Sequence, residues 1–183
     1  GAFDYNLGCS GFIYGLGLAK SLINSNIAKN ILLITSETYT KHIHPKDKGN
    51  KTIFGDAAAV VTIEKSEEEQ IGEFVLGTDG SGYRNLIVPN GGLRNRYNPN
   101  AQEIDDGSGS IRTDNNLYMN GPEIFNFTIK AVPKVVSEVL KKNKLTLDEI
   151  DYVIFHQSNK YMNEYLRKQI EIPKNKFWNN LLL

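Results

Sequence analysis

Gly8-Cys9-Ser10-Gly11, the apolar run Phe12-Ile13-Tyr14-Gly15-Leu16-Gly17-Leu18-Ala19-Lys20-Ser21-Leu22-Ile23, and then Asn30-Ile31-Leu32-Leu33-Ile34-Thr35-Ser36 decide the fold. The first run is apolar nearly all round and ends at Asn24-Ser25-Asn26, which predicts a buried helix. Gly15 and Gly17 inside it each cost about 1 kcal/mol of helix propensity, so their use is to admit a close neighbour. Asn30 to Ser36 is short, β-branched and bounded by polar residues, the pattern of a strand buried on both faces. A second strand is expected at Ala57 to Glu64, so the segment reads strand, helix, strand and the class is α/β.

Working outward, Ala2 to Leu7 predicts an opening strand and Ser66 to Gln70 a charged surface turn. The pattern restarts at Glu73 to Asp79 with another strand, then enters a glycine-rich polar stretch from Gly80 to Asn116. A loop that long in a compact domain is commonly a lid or binding wall. Gly121-Pro122-Glu123 opens a helix in which Ile124, Phe125, Thr128, Val132, Val135, Val136, Val139 and Leu140 fall on one stripe, with a kink expected at Pro133 and a stop at Lys141-Lys142-Asn143. Thr146 to Glu149 has the capping-box pattern. Tyr152 to Phe155 predicts a buried strand, Tyr161 to Ile170 a helix, and Phe177 to Leu183 a last strand.

Composition excludes several roles. The 183 residues are 40% hydrophobic and 23% charged, the balance of a soluble globular chain. Twenty-one Lys plus Arg balance twenty-one Asp plus Glu, so no basic field holds nucleic acid or an anionic membrane. No apolar run approaches a membrane span and no secretion signal opens the chain, which predicts a cytoplasmic location. With no Met at its start and a strand-like run at each end, the sequence reads as a piece of a longer protein.

Two residues carry candidate chemistry. Cys9 is the single cysteine, so neither an internal disulfide nor a multi-cysteine metal site is open to it. It is either a packed small hydrophobe or a nucleophile at a strand-to-helix turn, where the helix N-terminus lowers a thiol pKa and backbone N–H groups hold a developing oxyanion. His156 follows a strand, at the carboxyl end where ligand sites form in α/β sheets, and is either a proton carrier and hydrogen-bond donor or a structural histidine. His42 and His44, two apart with no cysteine or acid cluster beside them, read as solvated loop residues, and no metal site is expected.

Four ordered motifs carry a resemblance: Phe3-Asp4 leading to Gly8-Cys9-Ser10-Gly11-Phe12; Phe54-Gly55-Asp56-Ala57-Ala58-Ala59; Met119-Asn120-Gly121-Pro122-Glu123-Ile124-Phe125; and Phe155-His156-Gln157-Ser158-Asn159. Together they resemble β-ketoacyl-acyl-carrier-protein synthase III, a thiolase-like condensing enzyme. The resemblance implies a layered α/β fold of two similar βαβ-rich halves, with residues 1–70 the remainder of the first half and 71–183 the second. It implies acyl transfer from acyl-CoA to Cys9, then decarboxylative condensation with malonyl-acyl-carrier-protein, in a cytoplasmic homodimer needing no cofactor. His156 would act mainly in the second step, holding the malonyl thioester oxygen with an asparagine that falls beyond Leu183. Phe54 matches an acyl-pocket aromatic. Lys48 stands where an arginine near the CoA nucleotide is frequent, keeping the charge without the bidentate fork. Asn159 matches a residue at the pantetheine tunnel, Gly121 counts with the substrate-binding residues, and Pro122 departs from a frequent asparagine there. Acyl transfer to a hydroxyl or amine, or a silent subunit keeping the fold, stands as the alternative.

Overall fold

The lone Cys9 sits in a turn closed by Gly11 N–H donating to the Gly8 carbonyl at 2.8 Å, and from this turn helix α1 (Gly11–Asn24) begins. A computed structural model describes residues 1–180. Gly11, Gly15, Ala19 and Ile23 form the buried stripe of α1 at intervals of four, one face of a 3.6-residue helix. Phe12, Ile13 and Leu18, on the rest of its surface, are exposed, so α1 buries one stripe rather than its whole circumference.

Strands β1 (Asn30–Thr38) and β2 (Asp56–Glu64) pair antiparallel over their full length, from Asn30 opposite Glu64 to Thr38 opposite Asp56. Ala19 and Ile23 of α1 pack with Leu33 and Ile63 to make the core cluster, supported by Leu16, Ile31 and Ile71. Because side chains alternate along a strand, Leu32, Ile34 and Val60 point to the other face and are exposed. The expectation of burial on both faces is thus half met. A continuous apolar run records that both faces favour cover, and within the described residues α1 supplies it to one.

The connection from β1 to β2 is a long excursion holding a 3₁₀ turn at Tyr39–His42 and the one-turn helix α2 (Lys48–Lys51). Buried Asp47 caps α2, its Oδ1 accepting from Asn50 N–H at 3.0 Å and its Oδ2 from Asn50 Nδ2 at 2.8 Å.

Two expected strands are absent. Ala2 to Leu7 joins no ladder among the described residues, and its Tyr5 hydroxyl instead donates to the Gly11 carbonyl at 2.8 Å. Glu73 to Asp79 has no strand pairing; at its start the Asn143 amide takes both backbone groups of Glu73, accepting from Glu73 N–H at 2.7 Å and donating to Glu73 O at 3.0 Å. The polar stretch after Gly80 is more ordered than its composition suggests. It opens with a 3₁₀ turn at Gly80–Asn85 and holds short ladders between β3 (Leu86–Ile87) and β6 (Tyr118–Met119) and between β4 (Ile104–Asp105) and β5 (Ile111–Arg112). Its Leu117 is buried and donates to the His42 carbonyl at 2.8 Å, which ties the stretch to the β1–β2 excursion.

Helix α3 (Gly121–Asn143) starts where Asn120 accepts from Glu123 N–H at 3.3 Å, and it runs unbroken through Pro133. Lys144 ends it in the left-handed conformation at φ 58°. The capping pattern at Thr146 appears as expected, Glu149 accepting from Thr146 N–H at 2.8 Å and Oγ1 at 2.7 Å. Strand β7 (Val153–Ile154), helix α4 (Lys160–Gln169) and strand β8 (Phe177–Trp178) form a βαβ unit with the strands parallel. Tyr152 and Ile154 are exposed, so β7 is not the fully buried strand expected. Of the expected last strand, residues 181–183 lie outside the described residues. Among those described, no helix is long and apolar enough to cross a membrane.

Candidate active site

Two elements far apart in sequence deliver the central pair. The turn before α1 presents Cys9, and the end of β7 presents His156, where Ser158 N–H donates to the His156 carbonyl at 3.0 Å and bends the chain toward α4. The Cys9 and His156 side chains come close enough to shift each other's ionisation. Interaction with His156 is the main reason the Cys9 thiol lies below its ordinary value. Burial opposes it, the histidine's charge and the cysteine's own backbone N–H add to it, and Glu37 works weakly against it. The same interaction raises His156 above the ordinary imidazole value, against burial and with help from the charge of Cys9. The opposite shifts come from one shared contact, and each favours the charged form of its group. Cys9 is also exposed, so the sulfur is reachable.

Around this pair the β1–β2 excursion builds a wall. Phe54 is half-buried and stacks on Tyr39 with ring centroids 4.7 Å apart. Tyr39 and Glu37, at the end of β1, both lie close enough to Cys9 for their charges to interact with it. Neither stands out in the sequence. Their signal was positional: Glu37 ends and Tyr39 follows a strand whose partner begins two residues after Phe54, and register brings strand ends together.

The other sequence candidates are engaged elsewhere. Lys48 opens α2 with its ammonium over the 107–109 turn, 3.5 Å from where a Cβ on Gly109 would lie. Asn159 caps α4, its Oδ1 accepting from Met162 N–H at 2.8 Å. Gly121 is the first residue of α3 and faces open space. His42 turns its ring edge to Tyr39. His44 Nδ1 accepts from Lys46 N–H at 3.2 Å while its Nε2 lies 3.7 Å from Glu103.

An α/β chain with a lone activated cysteine at a helix-opening turn, facing a histidine at a strand end, defines a class: the thiolase-like proteins. The family follows from comparison. Residues 3–80 match 3-oxoacyl-[acyl-carrier-protein (ACP)] synthase III, and residues 140–182 match the C-terminal region of the same family. The chain belongs to the 3-oxoacyl-acyl-carrier-protein synthase III family. It is 35% identical to a β-ketoacyl-[acyl-carrier-protein] synthase III of Clostridium botulinum over 98% of this chain and 52% of that protein. A crystal structure of a 3-oxoacyl-(acyl-carrier-protein) synthase III superposes with a TM-score of 0.93 at 44% identity, covering 97% of this chain and 54% of the other. The 3-oxoacyl-(acyl-carrier protein) synthase of Burkholderia xenovorans LB400 superposes with a TM-score of 0.84 at 39% identity, over 96% and 49%. The chain spans about half the length of the curated relatives it matches.

Proposed function

We propose that the protein carrying this sequence condenses an acyl group with a malonyl thioester through an acyl-cysteine intermediate, as an acyltransferase of fatty-acid or related acyl-chain synthesis. The observation that carries the reading is the Cys9–His156 pair. The Cys9 thiolate attacks the acyl-CoA carbonyl carbon and expels the CoA thiolate, which takes up a proton; the acyl group is then on Sγ. A malonyl thioester next loses carbon dioxide, and the electron pair of the broken C–C bond forms an enolate. Its carbon attacks the acyl-Cys9 carbonyl and expels the Cys9 thiolate, giving a β-ketoacyl thioester and the starting nucleophile. His156 serves both steps: as imidazolium it stabilises the thiolate, and once that charge is spent in acylation it can donate to the oxygen where enolate charge builds.

Phe54 forms part of the acyl pocket, while Lys48, Gly121 and Asn159 line the approach of the CoA or carrier arm. The malonyl carrier is an acyl carrier protein. Residues 1–70, built on α1 with β1 and β2, belong to one half of the enzyme, and residues 71–183 to the other. The full protein is a homodimer, a reading supported by the exposed Phe12, Ile13 and Leu18 of α1.

Incubating the full-length protein with acyl-CoA and mapping the adduct by mass spectrometry tests the first step. One acyl mass on the Cys9 peptide, absent in Cys9→Ser, is the expected result. An unmodified protein would make it a silent subunit. An acyl-Cys9 that passes its group to a hydroxyl or amine and leaves malonyl thioester intact would make it a transferase without C–C bond formation.

A further inference from the structure

His156 stands at the place where a sheet ladder is interrupted by a side chain. Strands β7 and β8 pair in parallel, Val153 with Phe177 and Ile154 with Trp178, and at the end of the ladder the Phe155 and Phe177 rings meet edge-on with centroids 5.4 Å apart. In this register the next rung would have Asn180 N–H donate to the Phe155 carbonyl, because the rungs of a parallel pair are evenly spaced along both strands. That bond is not made directly. The Gln157 carboxamide lies between the two groups, its Nε2 donating to Phe155 O at 2.9 Å and its Oε1 accepting from Asn180 N–H at 3.0 Å. A carboxamide offers donor and acceptor as a peptide group does, so it satisfies both backbone groups while keeping the strand ends farther apart than a direct bond would.

The other side of the bend is tied to α4. Ser158 N–H donates to the His156 carbonyl at 3.0 Å, and Ser158 Oγ donates at 3.4 Å to Oδ1 of Asn163, which is only 1% exposed. The backbone of His156 is thus held from the strand side by Gln157 and from the helix side by Ser158. We propose that Gln157 is a positioning residue: by standing in for a ladder rung it parts β7 from β8 at His156 and fixes the backbone from which the imidazole acts. The proposal rests on the reading of His156 as a donor in the condensation. A shorter or apolar side chain at 157 leaves the Phe155 carbonyl and the Asn180 N–H either unpaired or drawn together, and both outcomes move His156.

The test follows carbon dioxide release from malonyl thioester by acyl-loaded full-length protein in wild type, Gln157→Met, Gln157→Asn, His156→Gln and the double variants that combine His156→Gln with each change at Gln157. Methionine keeps the length without the hydrogen bonds, and asparagine keeps the carboxamide one methylene short. Each change at Gln157 should slow release by about tenfold to a hundredfold, the loss that follows a misplacement of about 1 Å in a reacting group. In the His156→Gln background the same change should cost no more than about twofold, because a residue that acts through His156 then has nothing to position. The ring of His156, titrated by NMR in the protein without substrate, should also move toward the ordinary imidazole midpoint in both variants. If Gln157→Met does not fold by thermal melting, Gln157→Asn decides. A wild-type rate in a folded variant, losses that simply add in the double variant, or an unmoved His156 titration overturns the proposal. No carbon dioxide from wild type, or a wild-type rate in His156→Gln, overturns the function reading beneath it, and shows before any Gln157 variant is compared.

Discussion

Cys9 and His156 shift each other's ionisation in opposite directions, which makes a prediction about pH. The lowered thiol holds its thiolate to lower pH than an ordinary cysteine, and the raised imidazole holds its proton to higher pH than an ordinary histidine, so both shifts favour the charged forms. Alkylation of Cys9 by iodoacetamide should therefore persist well below pH 8.5, the midpoint of an ordinary free thiol at about that value. His156→Gln removes the largest favourable cause, so the midpoint should move up toward the ordinary range and the alkylation rate at pH 6.5 should fall, by up to about tenfold for each pH unit the midpoint moves. An unchanged profile in His156→Gln would mean that the helix-opening turn alone activates the thiol. Both partners were legible in the sequence, since a lone cysteine among turn glycines and a histidine after an apolar strand are local signals. Their meeting was not, because it joins two segments at opposite ends of the chain. Tyr39 was hidden for a related reason: its placement depends on the register of β1 against β2, which no local pattern prints.

Helix α1 shows what an element's sequence does and does not carry. Its two interior glycines look alike in sequence and differ in structure. A methyl on Gly15 would run into the Tyr5 hydroxyl and come within 2.5 Å of Leu33 Cδ1, in the core cluster, whereas on Gly17 its nearest neighbour is the Phe74 ring at 4.0 Å. Gly15→Ala should therefore destabilise by about 1–3 kcal/mol, as overpacked sites do. Gly17→Ala should instead stabilise by up to about 1 kcal/mol through helix propensity. Thermal melting of the two variants beside wild type checks the pair, and equal shifts would contradict this packing. The close-approach reading of the glycines thus holds for Gly15 and fails for Gly17. Glu73 to Asp79 teaches the reverse: it has a strand's composition, but the Asn143 amide takes the backbone groups of Glu73 that a strand partner would use. Asn143→Ala should cost about 1–2 kcal/mol, because it removes bonds to Glu73 N–H, Glu73 O and Val139 O together.

At the scale of the molecule, the α/β class and the order of its motifs were legible because each motif is a local stop or turn signal, from the Cys9 turn to the Asn159 cap. The faces left open by α1, β1 and β2 were not legible, since apolar periodicity states that a face favours cover and not what covers it. What unites the molecule is the convergence of the α1 turn, the β7 end and the β1–β2 excursion on one sulfur. The central claim is that this sulfur carries an acyl group into a decarboxylative condensation, and a single-turnover chase tests it most directly. Full-length protein is loaded with labelled acyl-CoA, freed of excess, mixed with malonyl thioester and followed for the adduct on Cys9 and for carbon dioxide. The account predicts that the Cys9 adduct disappears in step with carbon dioxide release and that the label reappears in a β-ketoacyl thioester. Label on any residue other than Cys9, or an acyl-Cys9 that persists while malonyl thioester stays intact, would contradict it.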